Sequence, residues 1–586
     1  MPGFGFGLSQ SAMLSRIAIT LPRDFDFGPM DEAMHSLVEE RHALERVPAD
    51  AARALVDRAA FWQAAIQRQQ RVPVFGPHYA RQVSRAPQSP AVFDVGVASY
   101  SPEATSVAVD WVLAAVSALM QSPAPSASEI ASVRDSFEIA LKDLQKFALP
   151  GVNNFHLVKA ADASGIPWRP LVRDVFCFGM GARMRRFNST FTERTPALAT
   201  NLSRSKRSTA SVLRQFGVPV PEHVVAASAQ AAVEVAQRLG FPVVVKPDDQ
   251  EQGRGVSAGL MDAAAVTQAF EEASKVSRVV LVERHHHGHD YRLTVLRDRV
   301  VKILRRRAGG VDGDGVKTIA QLLTELQGSP RLLRVRRQTG RNPLELDGEA
   351  HAMLREQGLD GASVPAAGRF VALRRKSNIS AGGTQTLIPV EAAHPDNLAL
   401  AVRATRALQL DICGVDLILP DVERSWLETG AVVIELNAQP QIGAINAPEV
   451  YSQILLDSVP PDGRIPVHLL VYGDAADSPT SDESIAFMRS HGCNALAGPH
   501  GVWTDGVQAA GPLATTYDAA KSLMLDSSVH AAACVMSAAD VLAFGLPCDR
   551  ITSLSHRGES DTLRLAMDMA TPHLSVRPAR ETKNLS

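Results

Sequence analysis

The stretches "ICGVDLILPD" (residues 412–421) and "VVIELNAQP" (432–440) are apolar runs of strand length, each interrupted by a carboxylate. Asp416 lies in the first, and Glu435 with Asn437 in the second. Residues i and i+2 of a strand face the same side, so Glu435 and Asn437 reach one point and Asp416 can join them from a neighbouring strand. Carboxylates inside apolar strands are costly unless compensated. Two carboxylates and an amide oxygen are hard ligands suited to Mg²⁺, an ion that also bridges nucleotide phosphates. The pattern predicts paired strands carrying a metal site.

Three stretches upstream supply what such a site would serve. In "VVVKPDDQEQGRGV" (243–256), Lys246 ends an apolar strand and a loop with Gly253 and Gly255 follows. A strand-borne lysine can neutralise phosphate oxygens while glycine-rich backbone N–H groups close over the rest, although strand-end lysines and surface glycine turns are common in themselves. In "LVERHHHGHDYRLTVL" (281–296), Glu283 follows an apolar run, where a hinge can bond adenine or ribose, and Arg292 sits on the returning strand. His285, His286 and His287 are consecutive and diverge on an extended backbone, so they read as a polar hairpin tip rather than a zinc site. In "LRRKSNISAGGTQT" (373–386), Arg374, Arg375 and Lys376 precede Ser380, Gly382, Gly383 and Thr384. Such a loop can grip a carboxylate or phosphoryl oxygen, or be a solvated basic hairpin.

The 586 residues exceed one compact core and predict three or four folding units. A net charge of −2 gives no global attraction to nucleic acid or anionic membrane. Five widely spaced cysteines show neither C-x-x-C nor scaffold spacing and read as reduced. The N-terminus lacks a basic segment with an apolar core, and "VAVDWVLAAVSALM" (107–120) is interrupted by Asp110, so the expectation is a cytoplasmic chain without a membrane span. Helix and strand signals alternate from about 205 to 445, with antiparallel pairs; "SQILLDSVPPDGRIP" (452–466) reads as a linker, and the tail after about 575 as disordered. Asn153, Asn154 and His156 are candidates for lining a substrate groove, or simply form a polar loop before a helix.

These blocks, together with "SGIPWRPL" (164–171), "FGMGARMRRFNSTFTERT" (178–195), "SKRSTASVLRQFGVPVPE" (205–222) and "VDGDGVKTI" (311–319), resemble in their order the ATP-grasp ligases, and within them the cyanophycin synthetases. The resemblance implies an α/β multidomain fold. It comprises an α+β N-terminal substrate-binding and oligomerisation domain (1–165), a central ATP-grasp domain (166–455) and a Mur-ligase-like α/β C-terminal module (456–586). By the same resemblance, Lys206, Lys246 and Glu283 contact ATP, with Gly253 and Gly255 in the closing loop. Asp416, Glu435 and Asn437 hold Mg²⁺, while Arg292, Arg375, Ser380 and Gly382 stabilise the acyl phosphate. Gln250 stands where the family's phosphate loop opens with glycine.

The C-terminal module departs from its pattern. "IPVHLLVYGDAADSPT" (465–480) lies where a phosphate loop would carry glycines, Lys and Ser or Thr, yet it offers Asp474, Asp477 and Pro479, and no Lys or Arg occurs between Arg464 and Arg489. Aspartates beside phosphates repel a nucleotide. The segments "HGVWTDGVQAAGP" (500–512) and "DSSVHAAACVMSAADVLAFGLPCDRI" (526–551) still resemble the module's first half, so a degenerate, truncated module serving as packing or oligomerisation surface is expected. The resulting reading is an ADP-forming carboxylate–amine ligase using ATP and Mg²⁺ on amino-acid or short-peptide substrates. It would work as a homo-oligomer (dimer or tetramer), with neither nucleic acid nor membrane as partner. A non-catalytic scaffold pairing with a full-length ligase, and a phosphotransferase releasing the acyl phosphate, are the alternatives.

Overall fold

The computed structural model describes residues 1–21, 25–84, 90–121, 125–250, 255–375, 377–443 and 447–575. The chain forms two compact units, Thr190–Val450 and the combination of Met1–Ser189 with Tyr451–Ser586. The segments expected as separate N-terminal and C-terminal domains therefore lie in one unit, and the tail expected to be disordered falls outside the described residues from 576 on.

Thr190–Val450 is built from antiparallel strands. A four-stranded sheet runs in the order Ser257–Leu260, Val243–Pro247, Val280–Arg284, His223–Ala226. The helices Ala229–Leu239 and Ala263–Ser274 bury Ala232, Ala236, Val266 and Ala273 against it. A five-stranded sheet runs Thr384–Ile388, Arg299–Arg307, His289–Leu296, Ile412–Leu419, Val432–Asn437. Its strands alternate: Tyr291, Leu293, Val295, Ile303, Cys413, Val415, Leu417 and Leu436 share a core with Leu400, Ala401, Ala404 and Leu408 of the helix Pro395–Leu408. The residues between them therefore face the other way. That second face carries the charges.

The other unit holds two sheets that bear on the sequence expectations. Ala12–Ile19, Ala91–Ala98 and Tyr79–Ser84 form an antiparallel sheet with the middle strand last in sequence. Near it pack the helices Ala51–Gln69, Pro102–Leu119 and Ala127–Leu144. Pro102–Leu119 is long and apolar enough to cross a membrane by composition, yet it buries Ala104, Ala108, Trp111, Val112 and Val116 in this core. The second sheet has parallel strands in the order Ala495–Gly498, Ala532–Ser537, Val467–Tyr472, Ser553–Arg557, extended at one edge by the hairpin Gly501–Thr504 and Val507–Ala510.

Two local expectations change. The first half of the stretch read as a linker continues the helix Glu449–Ser458, because Val450, Ile454 and Leu455 recur at helical spacing and are buried; the turn is confined to Pro461–Gly463, with Asp462 at φ 56°. Asn153 and Asn154 are buried and committed within their unit. Asn153 donates to Ser189 Oγ at 2.9 Å and accepts from the Tyr451 hydroxyl at 2.9 Å, and Asn154 Oδ1 accepts from Ser189 N at 2.9 Å. His156 stacks on Tyr451 with ring centroids 5.3 Å apart. These residues fasten a helix rather than line a groove.

Candidate active site

Register places the candidate charges. Asp416 lies opposite Arg292 on one side and Glu435 on the other, while Gly414 lies opposite Asn437. All share the face turned away from the apolar core. Asp416 is 2% exposed and accepts Arg292 Nε at 2.5 Å, Arg292 Nη2 at 2.7 Å and Arg306 Nη2 at 2.9 Å. Burial opposes its ionisation, but Arg292 and Arg306 outweigh it and hold the carboxyl below its ordinary range. Arg306 also pairs with Asp290 at 2.7 Å, and Asp290 accepts from Ser377 Oγ at 2.6 Å. Arg306 and Asp290 were not singled out in the sequence; the alternation 302, 304, 306 along Arg299–Arg307 was the available signal.

Glu435 contrasts with Asp416. Burial, and then the Asp416 charge, raise its carboxyl, with Lys206, Arg292 and Lys246 acting the other way. Among the described residues it makes no hydrogen bond or ion pair. The site thus holds one carboxylate saturated by guanidinium groups and one with free oxygens, beside the Asn437 amide, which donates to Gly414 O at 3.4 Å. Glu435 and Asn437 fit a hard divalent cation by donor type. An ionised carboxylate has about four lone-pair positions, and three of those on Asp416 are used by arginine. No cluster of three His, Cys, Asp or Glu suited to a metal occurs among the described residues, so the set rests on the amide oxygen.

One lysine approaches from the four-stranded sheet and the other from the start of a helix. Lys246 lies opposite Leu281, and Glu283 opposite Val244, which makes Lys246 and Glu283 diagonal neighbours on one face. Lys246 Nζ meets Glu283 Oε2 at 2.7 Å, both groups buried. Lys206 opens the helix Lys206–Gln215 behind its cap Ser205, and Asp248 fixes that turn by accepting from Ser205 Oγ at 2.9 Å and Arg207 N at 2.8 Å. Lys206 Nζ donates to Gln250 O at 2.6 Å, and burial lowers its pKa while Glu435 opposes the shift. A narrow cavity of about 10 Å³ lies among Lys206, His223, Lys246, Glu283 and Val433. A cavity of about 420 Å³ in the other unit, lined by Gly7, Ser9, Arg550 and His573, contains none of the candidate residues.

The remaining candidates lie apart from these residues or outside the described residues. Gly255 has φ +72°, and a Cβ there would meet Pro247 Cγ at 2.8 Å, so this turn requires glycine. Gly253 lies outside the described residues, as does Lys376. Arg375 pairs with Glu356 and donates to Ala258 O at 2.8 Å. Ser380 is exposed on the turn Ile379–Ala381. Gly382 has φ +79° against Leu344, and Arg331 binds the carbonyls of Gly382 and Gly383 at 3.0 and 2.9 Å. The structure gathers Lys206, Lys246, Glu283, Arg292, Asp416, Glu435 and Asn437, while Arg375 and Gly382 are engaged by Glu356, Ala258 and Arg331.

Residues 199–300 match an ATP-grasp domain and residues 365–454 a RimK-like ATP-grasp domain. The chain carries an ATP-grasp domain. Its two matched segments contain every lysine and carboxylate of the site just described. A cyanophycin synthetase from Trichormus variabilis is 34% identical over 306 residues, 51% of this chain and 33% of that protein. The glutathione biosynthesis bifunctional protein GshAB of Mannheimia succiniciproducens is 34% identical over 269 residues, 44% of this chain and 34% of that protein. The matched part spans about a third of these relatives. A solved bifunctional glutathione synthetase from Pasteurella multocida aligns with a TM-score of 0.38 at 25% identity, over 61% of this chain and 51% of that one.

Proposed function

We propose that the ATP-grasp domain is the catalytic centre of an ADP-forming carboxylate–amine ligase. The γ-phosphoryl group passes from ATP to an oxygen of the substrate carboxylate, and ADP leaves. The amine nitrogen then attacks the acyl carbon, the C–N bond forms, the C–O bond to phosphate breaks, and the amine gives up a proton. Lys206 and Lys246 neutralise phosphate oxygens, and Glu283 orients Lys246 beside the nucleoside. Glu435 and Asn437, with Asp416 behind them, would hold Mg²⁺, which supplies charge neutralisation at the phosphates when bound. Arg292 and Arg306 fix Asp416 so that the face is set before substrate arrives. Nucleotide entry parts the walls of the narrow cavity at Lys206 and Val433. Amino acids or short peptides as substrates, a homo-oligomeric assembly and a cytoplasmic setting belong to the same reading, and the five free buried cysteines fit a reducing compartment.

The observation that carries this reading is that Lys206, Lys246 and Glu283 line one cavity whose wall includes Val433 and Ile434, next to Glu435 on the same strand. Cations and a free carboxylate held on one site suit a metal-bound polyphosphate. The test is ADP release with Mg-ATP and a panel of amino acids and short peptides, singly and in pairs, with mass spectrometry of active mixtures. Release that requires two substrates, yields their amide and falls at least 100-fold in Glu435→Gln is expected. Release needing a carboxylate alone, with no amide formed, would replace the ligase by an acyl-phosphate-forming kinase.

A further inference from the structure

Lys302 is a buried cation on the catalytic face that the reaction above does not use. It lies opposite Thr294, two residues along from the Arg292–Leu304 pair, and both Lys302 and Thr294 are 2% exposed. The pairing puts Lys302 on the same side of the sheet as Arg292 and Arg306, diagonal to Arg292 at a backbone separation of about 7–8 Å. The chain leaving Asn437 returns to it: Lys302 Nζ donates to Ile442 O at 2.5 Å, and a Cβ on Gly443 would stand 3.8 Å from the same nitrogen.

The charges on this face do not balance around it. Arg292 is matched by Asp416, and Arg306 by Asp416 and Asp290. Among the described residues no carboxylate comes within ion-pair distance of Lys302; Glu449 acts on it only from farther away. Burial disfavours the ammonium form, and one carbonyl engages one of its three donors. An apolar side chain of similar length would fill the same space without burying a charge, at the loss of the bond to Ile442 O. A buried, unmatched ammonium beside a reacting centre is compensated when a ligand brings the missing anion.

We infer that Lys302, with the Thr294 hydroxyl beside it, binds a free carboxylate of the amino-acid substrate, so that this site takes an amino acid or peptide terminus rather than a simple amine. The inference rests on the ligase reading and names the substrate group its site recognises. Lys302 acts as a specificity-determining residue: it selects a charged carboxylate held apart from the group that reacts.

The test is calorimetric titration of the full chain, saturated with Mg-ADP, with each amino acid and with its carboxamide, for the wild type, Lys302→Met and Lys302→Arg. Unchanged Mg-ADP affinity and melting temperature establish that the variants are folded. At least one amino acid is expected to bind tenfold or more tightly than its carboxamide in the wild type. That preference should vanish in Lys302→Met through loss of amino-acid affinity and survive in part in Lys302→Arg. A preference that persists in Lys302→Met, or equal weakening of acid and amide, would overturn the inference and leave Lys302 as an anchor of the 438–443 loop. Absence of amino-acid binding in the wild type would overturn it too. The ADP-release assay reports separately on the ligase, so a chain that turns over without this preference refutes only the role of Lys302.

Discussion

The sheet face around Asp416 and the strand end at Gly473 both carry carboxylates where the sequence places a phosphate site in related folds, and the two treat those carboxylates differently. At Asp416 the acid is held by Arg292 and Arg306, while Lys246 pairs with Glu283 and the oxygens of Glu435 make no bond among the described residues. At the end of Val467–Tyr472 the acids serve the loop itself. Asp474 accepts from Ala476 N at 2.9 Å, Asp477 accepts from Asp474 N at 3.4 Å, and Thr480 with Glu483 closes a capping box on the helix Ser481–Ser490. Gly558 follows the neighbouring strand with φ +90°, and any Cβ there would collide with the Asp477 carboxylate. Backbone donors that could cradle an anion are already occupied by the loop's own anions. The two regions share sheet geometry and differ in the sign and pairing of their side chains, and the proposed function places the nucleotide at the first.

Breaking the matched pair should cost most. Arg306→Met leaves Asp416 and Asp290 short of a buried counter-ion and is expected to destabilise the Thr190–Val450 unit by about 3–5 kcal/mol, read from denaturant unfolding. A loss under about 1 kcal/mol would mean that Arg292 alone suffices. At the other region, Gly558→Ala forces a positive φ and displaces Asp477, an expected loss of about 2–3 kcal/mol in stability with ADP release unchanged. Reduced ADP release in a folded Gly558→Ala protein would blur the distinction between the two regions.

The smallest effect concerns an acid that has neither arrangement. Asp162, on the helix Val152–Ala163, is pushed up to about 6 by burial, with Arg68 only partly opposing. Its folded pKa exceeds its unfolded value of about 3.9, so the folded state binds the extra proton and stability falls as pH rises from about 4 to 6. Allowing for the solvent that still reaches it, Asp162→Asn should gain about 1 kcal/mol at pH 7 and flatten that pH dependence. The same pH slope in the variant would assign it to another group.

Much of the ATP-grasp domain was legible because its strands alternate. The i, i+2 spacing of Glu435 and Asn437, and the two turns bounding His289–Leu296, follow from residue type alone. Lys246 was legible because it sits at the end of an apolar strand, where a charge stands out; Lys206, in a polar run at the start of its helix, came only with the family resemblance. What the sequence concealed was pairing across strands. Asp416 reads as a free ligand until register sets Arg292 and Arg306 against it, and Arg306 and Lys302 vanish into a basic run "RVVKILRRR" whose two faces only the fold separates. The Gly382–Gly383 turn looked like an oxyanion loop, but its carbonyls answer to Arg331, a residue about 50 positions away in a helix of its own. The helix Glu449–Ser458 was obscured by the Pro-Pro-Asp-Gly turn that follows it.

The central claim is that the Thr190–Val450 unit holds the nucleotide site and the strand end at Gly473 holds none. Equilibrium binding of Mg-ATP to the full chain tests it most directly, measured as stoichiometry and affinity for the wild type, Lys246→Met and Asp477→Asn. The account predicts one ATP per chain, affinity reduced at least tenfold in Lys246→Met, and no change in Asp477→Asn. Two ATP per chain, or a single site that survives Lys246→Met and weakens in Asp477→Asn, would contradict it.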